Sequence, residues 1–583
     1  MIASAPMGNM EPPSMPEVLR ATGPSRDRPI LGGMALVSGA LLAGVVPARA
    51  EAPPLPSEVG PGSLPMTRAA ALAGEAALPA TSPEVRLGGF GLPAGAPPPQ
   101  PEPEPGRRWT VTPSIGVQLM GTDNVFQTVR NRQADLITTI TPALLLGAET
   151  SRFQGVLNYA PNIQFYADTP GQNRMDQRFN GQGLATLVPG LLYLDVRGAS
   201  AVQTIAGGIA PESTVVTSRQ NKVQTTSFQI SPYLMHRFGD LATVQAGYAF
   251  QYVDQRSSAD ASQISLTPGG LPTFTSQHFT AHEFYAVGRS GPDLGRLAFE
   301  GRLDSTSYIG TGVLDGAYRR NASVEGRYAI IRGVSALLEG GYEQQRYAGI
   351  PGIRIDGPIW SAGVRIDFSD ESRIVAKYGR RDGFNSAFLQ ASLALGGRTR
   401  FSASYSERLT SSAGRAADLL STTSLDELGN PIDLATGLPA VQPFASSFLG
   451  AQSSLMRIRA ASASLSQSWP RDTIALTVTN EERTPVSVAP GTVGFDQDGT
   501  SGSISWAHSF SERTTAFAYA QYGQFSSGLL GKGDVVTGSV TLSHQLQPRL
   551  LGTMQIATSS RSDQRSTGRA TQNLILVALR QSF

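Results

Sequence analysis

The chain has 583 residues, 16% of them charged, and its formal net charge at neutral pH is only +2. With no basic stripe along the sequence, this balance argues against a nucleic-acid-binding protein. The chain has no cysteine, which excludes disulfides, thiolate metal sites and a cysteine nucleophile.

The first 50 residues are predicted to be a secretory signal peptide. Arginines between residues 20 and 28 precede the apolar run 30–46, and Ala48-Arg49-Ala50 then supplies an A-x-A cleavage motif. We expect cleavage after Ala50. The alternative is an uncleaved membrane anchor, because the run is about as long as the shortest spanning helix. Its Gly and Ala content favours cleavage.

Residues 51–107 are rich in Pro, Ala, Gly and Glu and end in PPPQPEPEPGRR. A segment of this composition cannot bury enough apolar surface to offset the entropy that it loses on ordering. We therefore predict a disordered Pro/Ala-rich periplasmic linker, too short for the folded plug that fills large transport barrels. A plain spacer and a segment that binds a periplasmic partner both fit this composition.

Residues 108–583 are predicted to form one outer-membrane β-barrel, because their polarity alternates with a period of two. The segments 111–119, 360–368 and 474–478 place apolar residues at every second position. Successive side chains of a strand point to opposite sides, so each segment has one apolar and one polar face. The pattern predicts an all-β fold, a transmembrane antiparallel up-and-down β-barrel of about 22 strands, within a range of about 18 to 24.

The lengths of the connections distinguish a membrane barrel from a soluble β-sandwich. Short turns are predicted at 237–240, 368–371, 469–472, 510–513 and 547–549, and longer polar segments at 254–277, 409–454 and 484–499. Short periplasmic turns that alternate with long extracellular loops are typical of outer-membrane barrels. An even number of strands places both ends of the barrel on the periplasmic side.

Aromatic residues are sorted toward two levels of the predicted barrel. Those next to the short turns are Phe238, Phe368, Trp469 and Phe510, and those toward the long loops are Tyr252, Tyr308, Tyr347, Tyr405 and Tyr522. Aromatic rings collect at the two water interfaces of a membrane. We therefore expect two aromatic belts on the outside of the barrel.

The C-terminus carries a further indication of a barrel. Ile575, Val577, Leu579 and Phe583 share one face, although Gln581 interrupts the apolar pattern. A terminal aromatic residue that closes an alternating strand is similar to the signal read by the barrel-insertion machinery. Phe583 is therefore predicted to be the C-terminal insertion signal.

The start of the predicted barrel carries a family resemblance, which is best over residues 109–200. There SIGVQLMGTDNVFQT, with Thr122-Asp123-Asn124-Val125-Phe126, precedes ADLITTITPALLLGAE. This pattern resembles the outer-membrane β-barrel porin families of Gram-negative bacteria, in particular the group associated with PEP-CTERM and exopolysaccharide systems. The resemblance implies an outer-membrane barrel with a link to envelope polysaccharide, and it brings no catalytic residues.

Charged residues of neighbouring strands are predicted by parity to face the lumen. They are Glu300, Arg302, Asp304, Arg319, Glu325, Arg327, Glu339, Arg365, Asp367, Arg373 and Lys377. Opposite charges across a pore can set a field that sorts solutes. They can also brace neighbouring strands through ion pairs. We favour bracing, and the two roles can coexist.

A catalytic or metal site is not predicted. His278 and His282 are four residues apart, but on a strand this spacing separates them by about 13 Å, too far for one metal ion. His508 and His544 lie near short turns, where a place in the interfacial aromatic belt explains them. No G-x-S-x-G or P-loop motif occurs. We expect a protein that is not an enzyme and has no cofactor.

The function predicted from the sequence is a porin-like channel of the cell outer membrane for small hydrophilic solutes or glycan fragments. The alternative is a non-conducting envelope protein associated with exopolysaccharide biosynthesis or export, and a minor alternative is an outer-membrane hydrolase. The expected partners are the outer-membrane lipid bilayer, the barrel-insertion machinery and polysaccharide-system proteins. A monomer is expected.

Overall fold

The computed structural model describes residues 109–205, 216, 218–257, 274–369, 372–425, 431–433, 449–528, 531–564 and 568–583. The predicted signal peptide and linker lie outside these residues. Within them, one antiparallel sheet of 24 segments closes on itself. Two pairs of segments each continue a single strand, so the barrel has 22 strands and the predicted fold class is confirmed.

The elements follow one another along the chain with few interruptions. They are β1 (Trp109–Thr122), β2 (Asp135–Glu149), β3 (Phe153–Tyr159), β4 (Asn162–Tyr166), β5 (Arg174–Asp176), β6 (Phe179–Val188), β7 (Leu192–Thr204), β8 (Lys222–Phe238), β9 (Ala242–Ser257), β10 (Gln277–Ser290), β11 (Leu297–Gly310), β12 (Tyr318–Ile331), β13 (Val334–Tyr347), β14 (Ile353–Ser369), β15 (Ser372–Arg381), β16 (Phe384–Gly396), β17 (Thr399–Ser411), α1 (Ser412–Thr422), β18 (Thr423–Leu425), β19 (Pro431–Asp433), β20 (Ser454–Ser468), β21 (Asp472–Val488), β22 (Gln497–Ser511), β23 (Thr514–Ser527), β24 (Gly531–Gln547), β25 (Leu550–Asp563) and β26 (Arg569–Ser582).

The ring is closed by the pairing of its first and last strands. β1 pairs antiparallel with both β2 and β26, and the register places Ser114 opposite Ser582. Closure leaves no strand edge that would need a partner in lipid, which is the condition for β structure in a membrane. Ala160 and Pro161 separate β3 from β4, since proline cannot donate a hydrogen bond to the ladder.

The two faces of the wall can be assigned from contacts between distant strands. Lys377 of β15 reaches Glu325 of β12, and side chains so far apart in the ring meet only on its concave side. The face that carries this pair is therefore the inner face. On β1 the outer face exposes Val111, Ile115 and Leu119, as the alternation predicts.

The outer face carries a continuous apolar belt. Leu303, Leu338, Val478, Val540 and Ile556 belong to different strands, and each is more than half exposed. Apolar side chains arranged around the outside of a closed barrel are solvated by lipid rather than by water. The chain is thus an integral barrel of the outer membrane, and the predicted location is confirmed.

The aromatic belt near the short turns is confirmed. Phe238, Phe368, Trp469 and Phe510 are all exposed on the outer face. Toward the loops the prediction is wrong for Tyr308 and Tyr347, which lie on the inner face among buried apolar residues. The reason is that proximity to a loop does not determine which face a side chain occupies.

The connections alternate in length as expected. The short turns after β8, β20, β22 and β24 fall where they were predicted. The long segments are shorter than predicted, because β9 continues to Ser257, β17 to Ser411 and β21 to Val488. No helix in the described residues is long and apolar enough to cross a membrane.

One connection on the loop side is a tight hairpin turn rather than a loop. Asp382 and Gly383 join β15 to β16, with φ angles of 56° and 79°. Two consecutive residues in the left-handed region form the turn that matches the twist of a hairpin, and Asp-Gly is a preferred sequence for it. The wall of the barrel therefore extends less far on the loop side at this position.

Candidate functional site

The charged residues predicted to face the lumen all lie on the inner face of β11 to β15, and Glu300 is the centre of the first group. Its carboxylate accepts hydrogen bonds from Arg302 Nε at 2.5 Å and from Arg289 Nε at 2.8 Å. Arg289 of β10 lies directly opposite Glu300 and was missed in the sequence, although it has inner-face parity. One carboxylate between two guanidinium groups leaves this group with a positive charge.

The other charged residues of these strands form further ion pairs. Arg365 and Arg373 donate from Nε to the two oxygens of Asp367, at 2.8 Å and 2.6 Å. Arg381 Nη2, also of β15, donates to Glu339 of β13 at 2.5 Å. The Arg373–Asp367 pair joins β14 to β15 and the Arg381–Glu339 pair joins β13 to β15, which is the geometry that bracing of the wall requires.

Asp304 and the remaining two arginines are arranged more loosely. Asp304 accepts a hydrogen bond from Asn321 Nδ2 at 3.0 Å, and Arg319 Nε lies 3.9 Å from the same carboxylate oxygen. Arg327 lies on the inner face of β12. The side chain of Arg319 as a whole is 30% exposed.

Removal of the central carboxylate is expected to destabilise the wall. In Glu300→Gln, Arg289 and Arg302 would face each other with no anion between them, and we expect the free energy of unfolding to fall by about 1–3 kcal/mol. The urea midpoint of the barrel, followed by its heat-modifiable migration on a gel, measures this effect. The double variant Arg289→Gln/Glu300→Gln should recover part of the loss. An unchanged midpoint in Glu300→Gln would contradict a bracing role.

Two buried ion pairs elsewhere on the inner face were not identified from the sequence. Arg197 Nε lies 3.1 Å from Asp195 on β7, and Arg483 Nε lies 2.8 Å from Glu481 on β21. In both pairs, opposite charges stand two residues apart on one strand, like Glu300 and Arg302. This spacing was the available signal.

The connection after β17 begins with α1, a helix that was not predicted within 409–454, and α1 lies in the mouth of the barrel. Ser412 Oγ accepts a hydrogen bond from Gln255 Nε2 of β9 at 3.3 Å. The backbone carbonyl of Leu420 accepts one from Arg197 Nη1 of β7 at 3.0 Å. The helix is thus held against the inner face of β7 to β9.

The other wall of the barrel also holds this helix. Arg415 Nη1 of α1 donates to Glu481 of β21 at 2.6 Å. In the ring of strands, β21 lies nearly opposite β9. The helix therefore crosses the lumen and is tied to both sides of it.

A buried apolar cluster fills the mouth around α1, and we call it the mouth cluster. It consists of Ala199, Val253, Phe279, Ala281, Val313, Leu314, Ala317, Tyr347, Leu409, Ala413, Ala416, Leu420, Leu455 and Ala489. None of these residues is more than 8% exposed. Strands from both sides of the ring contribute, so the loop end of the barrel is packed like the core of a soluble domain.

Backbone hydrogen bonds connect the loops that surround the mouth cluster. Ile350 and Val488 exchange two bonds, with N–O distances of 2.9 Å and 3.2 Å. Ala489 N donates to Ser453 O at 2.9 Å, and Ala451 N donates to Thr204 O at 3.2 Å. The connections after β13, β17 and β21 therefore form one hydrogen-bonded layer across the mouth.

A buried carboxylate holds the β15–β16 turn toward the mouth. Glu343 of β13, only 1% exposed, accepts hydrogen bonds from the backbone N of Asp382 and of Gly383, each at 2.9 Å. Asp382 in turn accepts one from Leu409 N at 3.1 Å. The turn thus links β13 to the β17 end that leads into α1. Glu343 was missed because two of its three hydrogen-bond donors are backbone groups of a distant turn.

The two strands that follow this turn, β16 and β17, stop pairing before they reach the loop end of the barrel. β16 and β17 are paired at only seven positions, from Leu389–Tyr405 to Gly396–Thr399. Above Tyr405, β17 remains paired with β20 but no longer with β16. We call this short ladder the seam.

The histidines lie on the outer face. His282 Nδ1 is 2.7 Å from the Tyr248 hydroxyl, and His508 Nδ1 is 2.7 Å from Asp472 Oδ1, between Trp506 and Phe510. Within the described part of the chain, no group of three or more His, Cys, Asp or Glu residues is arranged to hold a metal ion. That the protein is not an enzyme stays a prediction.

The predicted insertion signal lies at the short-turn end of the barrel. Phe583 N donates to Pro113 O of β1 at 2.9 Å, and its side chain is 62% exposed on the surface. The placement is accessible to other proteins and to lipid. Recognition by the insertion machinery stays a prediction.

Comparison with known proteins gives matches to solved structures. No protein-family model and no curated protein matches the chain. Among solved structures, the FrpB iron transporter from Neisseria meningitidis (F5-1 variant) matches at 8% identity and a TM-score of 0.45, over 82% of each chain. BauA, the ferric preacinetobactin receptor from Acinetobacter baumannii, matches at 10% identity and a TM-score of 0.45, over 81% of this chain and 80% of that one. At these values the similarity says nothing about substrate or site residues.

Proposed function

We propose that the protein is a gated outer-membrane channel for small hydrophilic solutes or glycan fragments, with the mouth cluster as its gate. The observation that carries the proposal is α1, a helix tied across a lumen whose wall is polar and charged. A barrel of this strand number encloses a lumen wide enough for solutes when nothing fills it. The closed mouth therefore implies a second, open arrangement of the same loops if solutes are to pass.

The inner wall away from the charged strands suits neutral hydrophilic solutes. On β22, β24 and β25 the inner face consists largely of hydroxyl and amide side chains, among them Ser505, Ser539, Thr553, Gln555 and Ser559. Hydroxyl and amide groups both donate and accept hydrogen bonds, as sugar hydroxyls do. The hydroxyl and amide side of the lumen would thus contact neutral groups of a glycan. The charged side would orient the water that hydrates the glycan.

The second candidate is a non-conducting envelope protein that serves a polysaccharide system. The observation that favours it is the hydrogen-bonded layer of loops over the mouth, which gives the outer end of the barrel a fixed surface. The family resemblance in the first strands supports the polysaccharide link. The two candidates differ in whether the mouth opens.

A disulfide across the mouth separates these candidates. A Cβ atom built on Gly312 lies 3.5 Å from the Cβ of Ala489, which is within disulfide range, and the chain has no other cysteine. Gly312 has a φ of 68°, so cysteine there costs about 1–2 kcal/mol, which a barrel of this size should tolerate. We expect oxidised Gly312→Cys/Ala489→Cys to conduct at least about tenfold less than the reduced protein in planar bilayers.

The control pair is Thr479→Cys/Ser501→Cys, which joins two wall neighbours whose hydroxyl oxygens are 2.9 Å apart. Its oxidation should leave the conductance unchanged, and reductant should restore the conductance of the mouth pair. Equal conductance of the oxidised and reduced mouth pair would show that the mouth cluster is not the gate. If well-folded wild type and reduced protein never conduct, the envelope candidate replaces the channel.

A further inference from the structure

A group of arginines stands on the outer face of the barrel, away from the lumen. Arg320 of β12, Arg346 of β13, Arg354 of β14 and Arg380 of β15 are exposed there, and we call them the rim arginines. In each strand, the residues directly before and after the arginine face the lumen. The rim arginines therefore meet whatever surrounds the barrel rather than what passes through it.

The register brings these cations close together. Arg346 lies directly opposite Arg354, and Arg320 lies opposite Gln344, one step away on the same face. Directly opposed side chains have Cβ atoms about 5 Å apart, where like charges repel each other. The guanidinium of Arg320 lies over the ring of Tyr318, 4.9 Å from its centre. Three positive charges thus share one small area of the surface.

Little negative charge offsets the rim arginines within the described part of the chain. Arg354 Nη2 lies 3.7 Å from Asp356 Oδ2, which is a long ion pair. The other oxygen of Asp356 accepts hydrogen bonds from the Tyr342 hydroxyl at 2.6 Å and from Gln344 Nε2 at 3.4 Å. One carboxylate shared in this way cannot neutralise three guanidinium groups.

Two other cations at the outer rim are each matched by an acid of the protein itself. Arg256 Nε lies 2.7 Å from Asp254 on β9, and Arg569 is paired with Asp534 of β24. The rim arginines differ from these pairs because the excess charge is left on the surface. An excess of this kind suits an anion from outside the chain.

The height of the rim arginines on the wall indicates which anion this is. Tyr342, Trp360 and Tyr378 are exposed on the outer face of the same strands and mark the aromatic belt on the loop side. Arg380 lies opposite Trp360, and Arg346 is about 13 Å beyond Tyr342 along its strand. The rim arginines thus start at the belt and extend beyond it, at the level of the lipid headgroups. The outer leaflet of this membrane consists of phosphorylated glycolipid.

We propose that the rim arginines bind the phosphate groups of the outer-leaflet glycolipid. The planar guanidinium offers paired N–H donors that match phosphate oxygens, and a phosphate between Arg346 and Arg354 would remove their mutual repulsion. Arg320 and Arg380 flank this pair and would contact a second phosphate or the sugar. The site does not depend on the channel function, because it lies on the other face of the wall.

The test measures glycolipid that stays bound to the full-length barrel. Protein refolded in detergent is incubated with diphosphoryl lipid A or with its dephosphorylated form, and native mass spectrometry counts the lipid retained per barrel. We expect wild type to retain the diphosphoryl form selectively. The variant Arg346→Gln/Arg354→Gln should retain at least about tenfold less. The matched control Arg256→Gln removes an exposed cation that has its own acid and should behave like wild type.

Heat-modifiable migration shows that each variant is folded, which exposed substitutions of this kind should not affect. Equal retention by wild type and the double variant would overturn the proposal. An equal loss of retained lipid in Arg256→Gln would also overturn it, because the loss would then reflect the overall positive charge of the rim and not this site. Inorganic phosphate, added in millimolar excess as the third arm, should not displace lipid A. Full displacement would assign the rim arginines to soluble anions instead of lipid.

Discussion

Replacement of residues 412–453 by a short Gly/Ser turn is expected to raise the single-channel conductance by at least about tenfold. The change removes α1 and, with it, Ala413, Ala416 and Leu420 from the mouth cluster. Ser411 is paired with Leu455, so β17 and β20 can be rejoined by a tight turn without a change of register. The lumen would then be open at the loop end.

The measurement is conductance in planar bilayers, with uptake of neutral oligosaccharides into liposomes as a second readout. A milder variant, Arg197→Ala/Arg415→Ala, removes one tie of α1 to each of the two walls and should give an intermediate conductance with frequent closures. Heat-modifiable migration serves as the control for folding. If the shortened barrel is folded but conducts no better than wild type, the mouth does not limit passage and the gate proposal fails.

A charged substitution on the lipid-facing side of the barrel should have the largest effect on its stability. Val540 lies near the middle of β24, on the outer face, and is 58% exposed. An arginine there would be placed in the apolar core of the bilayer, at a cost of about 2–4 kcal/mol. We expect Val540→Arg to lower the folded fraction in lipid vesicles steeply and to shift the urea midpoint downward.

The next residue along the strand supplies the matched control. Thr541 faces the lumen, where an arginine can remain hydrated. Thr541→Arg should therefore change the urea midpoint much less than Val540→Arg, although the two variants carry the same new charge one position apart. Equal destabilisation by both variants would contradict the assignment of inner and outer faces on which the fold rests.

The strand number and the faces of most strands were predictable because they are local properties. Alternation within a dozen residues determines which side chains share a face, and this held for 111–119 and for the charged residues of β11 to β15. The positions of the short turns follow from the same pattern. Neither prediction requires knowledge of which strands lie across the ring from one another.

The residues that fill the mouth were not predictable from the sequence, because their contacts are not local. The contact of Arg415 with Glu481 and that of Leu420 with Arg197 join parts of the chain that only the closed ring brings together. The segment 409–454 is polar and lacks a clear period over most of its length, so α1 left no distinct signal. Tyr308 and Tyr347 were misplaced because packing across the mouth, rather than the membrane interface, sets their environment.

The seam between β16 and β17 has a mechanical consequence for the cylinder as a whole. A closed ring transmits tension through each pair of neighbours in turn, so it yields first where the fewest bonds resist. The seam has seven paired positions, against nine between β1 and β26 and fourteen between β1 and β2. Sideways stress on the wall, whether from lipid or from a large molecule within, would therefore part it at the seam and open a slit facing the acyl chains rather than the water.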